Sequence, residues 1–114
     1  MAAAIATLNL YERDKLFERA ASKSEKFESA AHALRDAPFV KDIRNLGLVA
    51  GIELEPREGA PGARAYEVFV KCFEAGVLVR YTGDILAFSP PLIIEDDQID
   101  QIFGTVRKAL ESVK

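Results

Sequence analysis

Apolar and polar residues alternate in two stretches of the 114-residue chain, a spacing of two that is typical of strands with one buried face. The first stretch, 39–55, divides near Asn45-Leu46-Gly47 into two predicted strands. The second begins after Gly76, which favours a helix end because glycine adopts positive φ at little cost. A strand over 77–81, a turn at Thr82-Gly83-Asp84 and an apolar run over 85–88 together predict a hairpin.

Apolar residues three and four positions apart predict helices in the rest of the chain. One covers 12–35 and ends at Asp36-Ala37-Pro38, because proline disfavours helix at the residue before it. Others cover 63–75 and the last part of the chain, where acids at 95–97 suit a helix N-terminus. A short helix over 2–11 has no N-cap residue and would need a partner to pack on, so we expect the chain to be cut from a longer protein.

The predicted order is helix, helix, strand, strand, helix, strand, strand, helix. This order favours one α+β domain over 1–114, with helices packed on one face of a mainly antiparallel sheet. Gly51, inside the second strand, predicts a β-bulge or a close backbone approach. Ala65, Val68, Phe69, Cys72 and Phe73 form the apolar stripe of the third helix.

Composition removes several classes of function. The net charge of −3 is spread along the chain, which argues against nucleic acid, and no apolar run approaches the ~20 residues of a membrane helix. One cysteine and no secretory leader favour the cytoplasm. With a single histidine, His32, the chain has no Cys/His metal site, and we expect His32 to be solvated. Cys72 lies in an apolar stripe, so we expect a buried thiol and not a nucleophile.

Arg80 is the one charge within the predicted hairpin strands. Alternation places Val77, Val79 and Tyr81 on one face and Leu78, Arg80 and Thr82 on the other. A cation among apolar residues usually pairs with an anion, because an unpaired charge is costly to remove from water. The anion is either a ligand or an acid of the same domain. Asp84 is expected to be a turn residue and not a base.

Three motifs carry a resemblance to a known family. They are RNLGLVAGIEL at 44–54, EAGVLVR at 74–80, and GD followed by SPPLI at 83–93, and the leading AAAIATLNLYER is similar to the helix that begins the same domain. The chain resembles the C-terminal small domain of class III, fold-type I, pyridoxal-phosphate-dependent aminotransferases, nearest to the omega-amino acid:pyruvate (β-alanine:pyruvate) branch. The resemblance implies transfer of an amino group from an ω-amino acid or amine to pyruvate.

The resemblance also implies what this chain lacks. Members of the family hold the Schiff-base lysine and most cofactor contacts in a large domain upstream, so we assign no catalytic, cofactor-binding or metal-binding residue here. Neither Lys41 nor Lys71 corresponds to the catalytic lysine. The isolated chain is expected to bind no pyridoxal phosphate and to be inactive. The complete enzyme is expected to be a homo-oligomer, a dimer or a tetramer.

By the same resemblance, Arg80 corresponds to the arginine that binds the substrate carboxylate and swings away for amines without one. Tyr81, Thr82 and Gly83 are possible neighbours of that pocket. The ornithine branch commonly carries a second arginine two residues before the position of Ser89, where this chain has Ala87. This departure argues against the substrates of that branch.

Two alternatives stay open. A self-contained α+β module that binds a carboxylate or a partner protein through Arg80 is compatible with the same residues. Racemase and aminomutase relatives share the scaffold of the aminotransferases, and these residues do not separate them.

Overall fold

The computed structural model describes all residues, 1–114, and confirms the predicted order of elements. The helices are α1 (Ala2–Arg13), α2 (Leu16–His32), α3 (Ala63–Glu74) and α4 (Asp96–Ser112), with a 3-10 turn at Ala33–Asp36. The strands are β1 (Val40–Leu46), β2 (Val49–Leu54), β3 (Arg80–Thr82) and β4 (Ile85–Phe88). The α+β class with a mainly antiparallel sheet is therefore confirmed.

The four strands form one antiparallel sheet in the order β1-β2-β4-β3. Every second residue of β2 and β4 is buried under the helices, as the alternation predicts: Ala50, Ile52, Leu54, Leu86 and Phe88. Leu48, just before β2, continues the same buried row. The opposite side of the sheet carries no helix layer and is called the open face below. Directly paired residues share a face, so Arg44, Gly51, Ala87 and Arg80 form one row across the open face.

Aromatic contacts join the helices to the covered side of the sheet. The ring of Phe103 on α4 lies 5.2 Å from Phe27 on α2 and 5.1 Å from Phe88 on β4, centroid to centroid. Cys72 lies in the same core, where burial raises the pKa of its thiol to about 11. The expectation of a buried thiol is confirmed, and a thiol with this pKa is protonated at neutral pH.

Ion pairs connect α2 to the start of α4. Arg19 pairs with Glu95 at 2.9 Å, Lys23 with Asp96 at 2.8 Å, and Lys26 with Asp100 at 2.9 Å. Hydrogen bonding to Lys23 lowers the pKa of Asp96 below its usual value. The acids at the start of α4 therefore do more than begin a helix, because they also pair with α2 and hold the two helices side by side.

The predicted helix over 12–35 is interrupted. Lys15 has φ +49°, in the left-handed region, so α1 ends at Arg13 and α2 begins at Leu16. No proline or glycine marks this break in the sequence. The kink brings the rings of Tyr11 and Phe17 to 5.0 Å from each other.

The third strand is shorter than predicted. Its expected range was 77–81, but β3 covers Arg80–Thr82. Its partner strand ends at Phe88 and is followed by Ser89-Pro90-Pro91, and proline has no N–H with which to extend the ladder.

Three further expectations need correction. Gly51 sits in regular register, and the bulge of the sheet lies in β1 between Val40 and Asp42. Phe73 is exposed, whereas Arg64 on the same helix is buried. His32 is only partly solvated: its side chain is half-buried, and its Nε2 lies 2.8 Å from Asn45 Oδ1, a contact that links α2 to β1.

Candidate functional site

The site forms where the two strands of the β3–β4 hairpin separate. Gly76, with φ +88°, ends α3: its N–H donates to Phe73 O at 3.0 Å, and the Val77 N–H donates to Cys72 O at 2.8 Å. The chain then runs extended to Arg80, where pairing with Ala87 begins. Beyond this pair, residues 77–79 and 89–91 make no ladder, so a groove of about 690 Å³ opens beside them.

The groove has apolar walls and a few polar side chains. Leu78, Phe88, Pro90, Ile94 and Ile102 are among its apolar lining residues. Ser89, Gln98 and Gln101 supply polar groups, the last two from the first turns of α4. No local pattern in the sequence indicates these glutamines, because only the packing of α4 brings them to the hairpin.

Arg80 lies at the rim of this groove on the open face of the sheet. Its side chain is exposed and takes part in no ion pair or side-chain hydrogen bond. Every other arginine has at least one such partner: Arg13, Arg19, Arg35, Arg44, Arg57, Arg64 and Arg107. Arg80 is thus the one guanidinium whose hydrogen-bond donors the chain does not use.

The acids on the open face are engaged elsewhere. Glu53 contacts Lys41 and Arg44, each at 3.3 Å, and Asp42 pairs with Arg44 at 3.0 Å. Between Arg44 and Arg80, the row across the sheet contains only Gly51 and Ala87. The surface beside Arg80 is therefore flat and carries no anion that pairs with it.

Tyr81 points away from Arg80, toward the helices. It is the cross-strand partner of buried Leu86, and its ring lies 5.1 Å from Phe69 and 5.6 Å from Tyr66. The predicted division of this strand into two faces is confirmed. Tyr81 lines the groove from the helix side, so it shapes the cavity next to Arg80.

Thr82 and Gly83 lie at the hairpin turn and do not line the groove. Gly83 has φ +56°, as a two-residue hairpin turn with glycine first requires. The Asp84 carboxylate accepts a hydrogen bond from the Gly62 N–H at 2.8 Å and so holds the turn against the start of α3. Asp84 is a turn residue, as predicted.

The residues of the groove do not fit pyridoxal phosphate. No lysine lines it: Lys41, on β1, pairs with Glu53 on β2, and Lys71 faces a separate surface beside Glu74 and Lys108. No group of three or more His, Cys, Asp or Glu gathers where a metal ion could be held. No helix has the length and apolar character needed to cross a membrane. The groove thus places the free guanidinium of Arg80 beside an apolar wall, and a guanidinium is a group that can pair with an anion.

Known proteins resemble this chain over nearly its whole length. The sequence profile of the family described as Aminotransferase class-III matches residues 1–110. An omega-aminotransferase of Caulobacter vibrioides is 58% identical over 98% of this chain and 26% of its own length. A β-alanine–pyruvate aminotransferase of Pseudomonas aeruginosa is 37% identical over 98% of this chain and 25% of its own length.

Solved structures agree with the sequence comparison. A structure described as a transaminase with L-ala has a TM-score of 0.90 and 32% identity, over 96% of this chain and 27% of the other. The omega transaminase of Pseudomonas jessenii in complex with PMP has a TM-score of 0.84 and 31% identity, over 91% and 24%. The chain spans about a quarter of the length of the relatives that it matches.

Proposed function

Because the chain belongs to the class-III aminotransferases, we propose that it is the C-terminal small domain of an omega-amino acid:pyruvate aminotransferase. In this proposal the complete enzyme is an oligomer, and its large domain holds pyridoxal phosphate, which carries the amino group between donor and pyruvate. The 114-residue chain supplies substrate recognition. The names of the C. vibrioides and P. aeruginosa relatives favour this branch of the family.

The assignment of Arg80 rests on one observation: it is the only arginine without a partner in the chain. A guanidinium presents parallel N–H donors that match the two oxygens of a carboxylate. The neighbouring Ala87 and Gly51 leave room over the sheet for the side chain to move. Arg80 therefore binds the carboxylate of an ω-amino acid and turns aside when the donor is an amine without one.

The groove next to Arg80 adds to selectivity in this proposal. Leu78, Phe88 and Pro90 offer apolar surface, which lowers the local dielectric and strengthens an ion pair at the rim. Apolar parts of a larger amine would contact the same surface. One domain would then serve both kinds of donor, with the guanidinium for acids and the apolar wall for amines.

The test compares two donors in the complete enzyme. Arg80→Ala is expected to lower kcat/KM for β-alanine by about 30- to 1,000-fold, equivalent to about 2–4 kcal/mol of transition-state binding, because a charge-assisted pair is lost. For benzylamine, which has no carboxylate, the change should be within about threefold. Steady-state rates at varied donor concentration measure both values.

Arg44→Ala is the matched control. Arg44 lies in the same row of the open face but pairs with Asp42 and Glu53, so its removal should spare both donors. Equal losses for β-alanine and benzylamine in Arg80→Ala would refute the assignment. Stoichiometric cofactor binding and turnover by the 114-residue chain alone would refute the small-domain proposal and favour a self-contained protein.

A further inference from the structure

Gly51 is a glycine that the fold of this chain does not require. It lies inside β2 in regular register, paired with Arg44 on one side and Ala87 on the other. A Cβ added at Gly51 would meet the Ile85 side chain at 3.8 Å, which is an ordinary contact distance. Its φ is not positive, unlike that of five other glycines: Gly47, Gly59, Gly62, Gly76 and Gly83. Neither a turn, a bulge nor a close approach within the chain explains the glycine.

A glycine at this position also weakens the strand. Glycine loses more conformational freedom on folding than other residues, and it has no side chain to pack on its cross-strand neighbours. Alanine would fit the same space in this chain and would restrict the unfolded state more. The reason for a glycine at position 51 therefore lies in what occupies the open face above it.

Gly51 and Ala87 together form a flat strip, called the floor below, between Arg44 and Arg80. Neighbouring strands are about 4.8 Å apart, so Gly51 lies about 10 Å from Arg80 along the row. The long side chain of an arginine can lie over Ala87 and place its guanidinium near Gly51. Any side chain at position 51 would stand roughly perpendicular to the sheet, in the path of that guanidinium.

The far end of the floor can receive a cation. Arg44 is already compensated there by Asp42 at 3.0 Å and Glu53 at 3.3 Å. Glu53 lies two residues from Gly51 on the same strand and therefore on the same face. Its contacts with Lys41 and Arg44 are both 3.3 Å, longer than the about 2.7–2.9 Å of strong charge-assisted pairs. The Glu53 carboxylate thus keeps acceptor capacity for a guanidinium above Gly51.

We propose that Gly51 is a positioning residue for the choice of amino donor: it keeps the floor clear, so that the Arg80 side chain can lie over Ala87 and Gly51 when the donor has no carboxylate. This inference rests on the proposed function, in which Arg80 binds a carboxylate and turns aside for amines. It adds where the side chain goes and which residue keeps that place empty. Gly51 does not line the groove, so its effect on donors passes through Arg80.

The donor selectivity of Gly51→Val in the complete enzyme tests the proposal. Valine suits a strand and would fill the floor with a branched side chain. Then kcat/KM for benzylamine should fall at least about tenfold, because a guanidinium that cannot turn aside stays beside the apolar donor. For β-alanine, kcat/KM should stay within about threefold, because Arg80 keeps its carboxylate-binding position. Gly51→Ala, which adds a single methyl group, should give the same pattern with a smaller change.

A double variant separates positioning from a general loss of activity. Arg80→Ala has no guanidinium to displace, so adding Gly51→Val to it should change kcat/KM for benzylamine by less than about twofold.

Gly104→Ala is the matched control for an added methyl group. Gly104 is exposed on α4, its φ is not positive, and nothing lies within 4 Å of an added Cβ. This variant should leave both donors unchanged. The thermal midpoint of the complete enzyme should not fall by more than about 2 °C in either Gly51→Ala or Gly104→Ala, because each methyl group has room.

Three results would overturn the proposal. Equal losses for both donors in Gly51→Val, or no loss for either, would show that the floor has no part in donor choice. A loss that persists in the Arg80→Ala background would show that Gly51 acts without Arg80. A larger fall of the thermal midpoint in Gly51→Ala would show that another part of the complete enzyme packs closely on Gly51 and explains the glycine. If Arg80→Ala still loses β-alanine selectively, the Arg80 assignment stands and only this inference fails.

Discussion

Two arginines of this chain lie in contrasting surroundings. Arg64, in the first turn of α3, is 8% exposed: it donates from Nε to Lys114 O at 3.0 Å, donates from Nη1 to Glu55 O, and lies 3.8 Å from the centroid of the Phe39 ring. Arg80 is exposed and bonds to nothing in the chain. The same functional group serves the fold in one region and is left free in the other.

The contrast separates a charge that the fold uses from a charge that it leaves unused. A buried guanidinium is tolerated only when its donors are satisfied, and Arg64 meets that condition through carbonyl oxygens and an aromatic face. This condition does not apply to Arg80, because its side chain is exposed and the core on the covered side of the sheet packs without it. A guanidinium that contributes nothing to its own fold, at the rim of an apolar groove, is available to an outside anion.

The largest expected effect is on stability, and it tests how firmly the helices are packed on the covered side of the sheet. Phe103→Ala should lower the free energy of unfolding of the 114-residue chain by about 3–5 kcal/mol, because the ring joins α4 to Phe27 and Phe88. Urea unfolding followed by circular dichroism measures the change. A loss below about 1 kcal/mol would mean that the helix layer does not hold the sheet as described.

A smaller effect separates the two arginines directly. Arg64→Ala should lower the free energy of unfolding by about 1–3 kcal/mol, because the partly buried hydrogen bonds to Glu55 O and Lys114 O are lost. Its matched partner, Arg80→Ala, should leave the free energy of unfolding within about 0.5 kcal/mol of the parent chain, as is usual for exposed side chains without contacts. Both values come from the same urea titration.

The contrast between the two arginines is wrong if Arg80→Ala destabilises the chain as much as Arg64→Ala, or more. A destabilising Arg80→Ala would show that Arg80 has a structural partner in solution. An unchanged free energy of unfolding in Arg64→Ala would show that water replaces the contacts of the Arg64 guanidinium without loss of stability.

Local patterns were enough to predict most of the fold. Gly76 predicts the end of α3, and the alternation in β2 predicts which of its residues are buried. The apolar stripe of α4 predicts the face that packs in the core. The left-handed Lys15 cannot be predicted in this way, because no glycine or proline marks it. Pro90 and Pro91 correctly predict that β4 ends at Phe88, but the length of β3 depends on its pairing with β4, which alternation alone does not contain.

Parts of the site depend on contacts that no local pattern contains. Burial of Arg64 requires Lys114, 50 residues away in the chain, and the polar groups of Gln98 and Gln101 reach the groove only through the packing of α4. The sequence alone shows that Arg80 is a charged residue among apolar ones. That it has no partner within the chain could be known only from the position of every acid.

The most direct test is a structure of the complete enzyme with bound propionate, which is β-alanine without its amino group and does not react. The account predicts that two guanidinium nitrogens of Arg80 lie about 2.7–2.9 Å from the two carboxylate oxygens. If Arg80 is instead paired with an acid of the large domain and propionate binds elsewhere, the central claim is wrong.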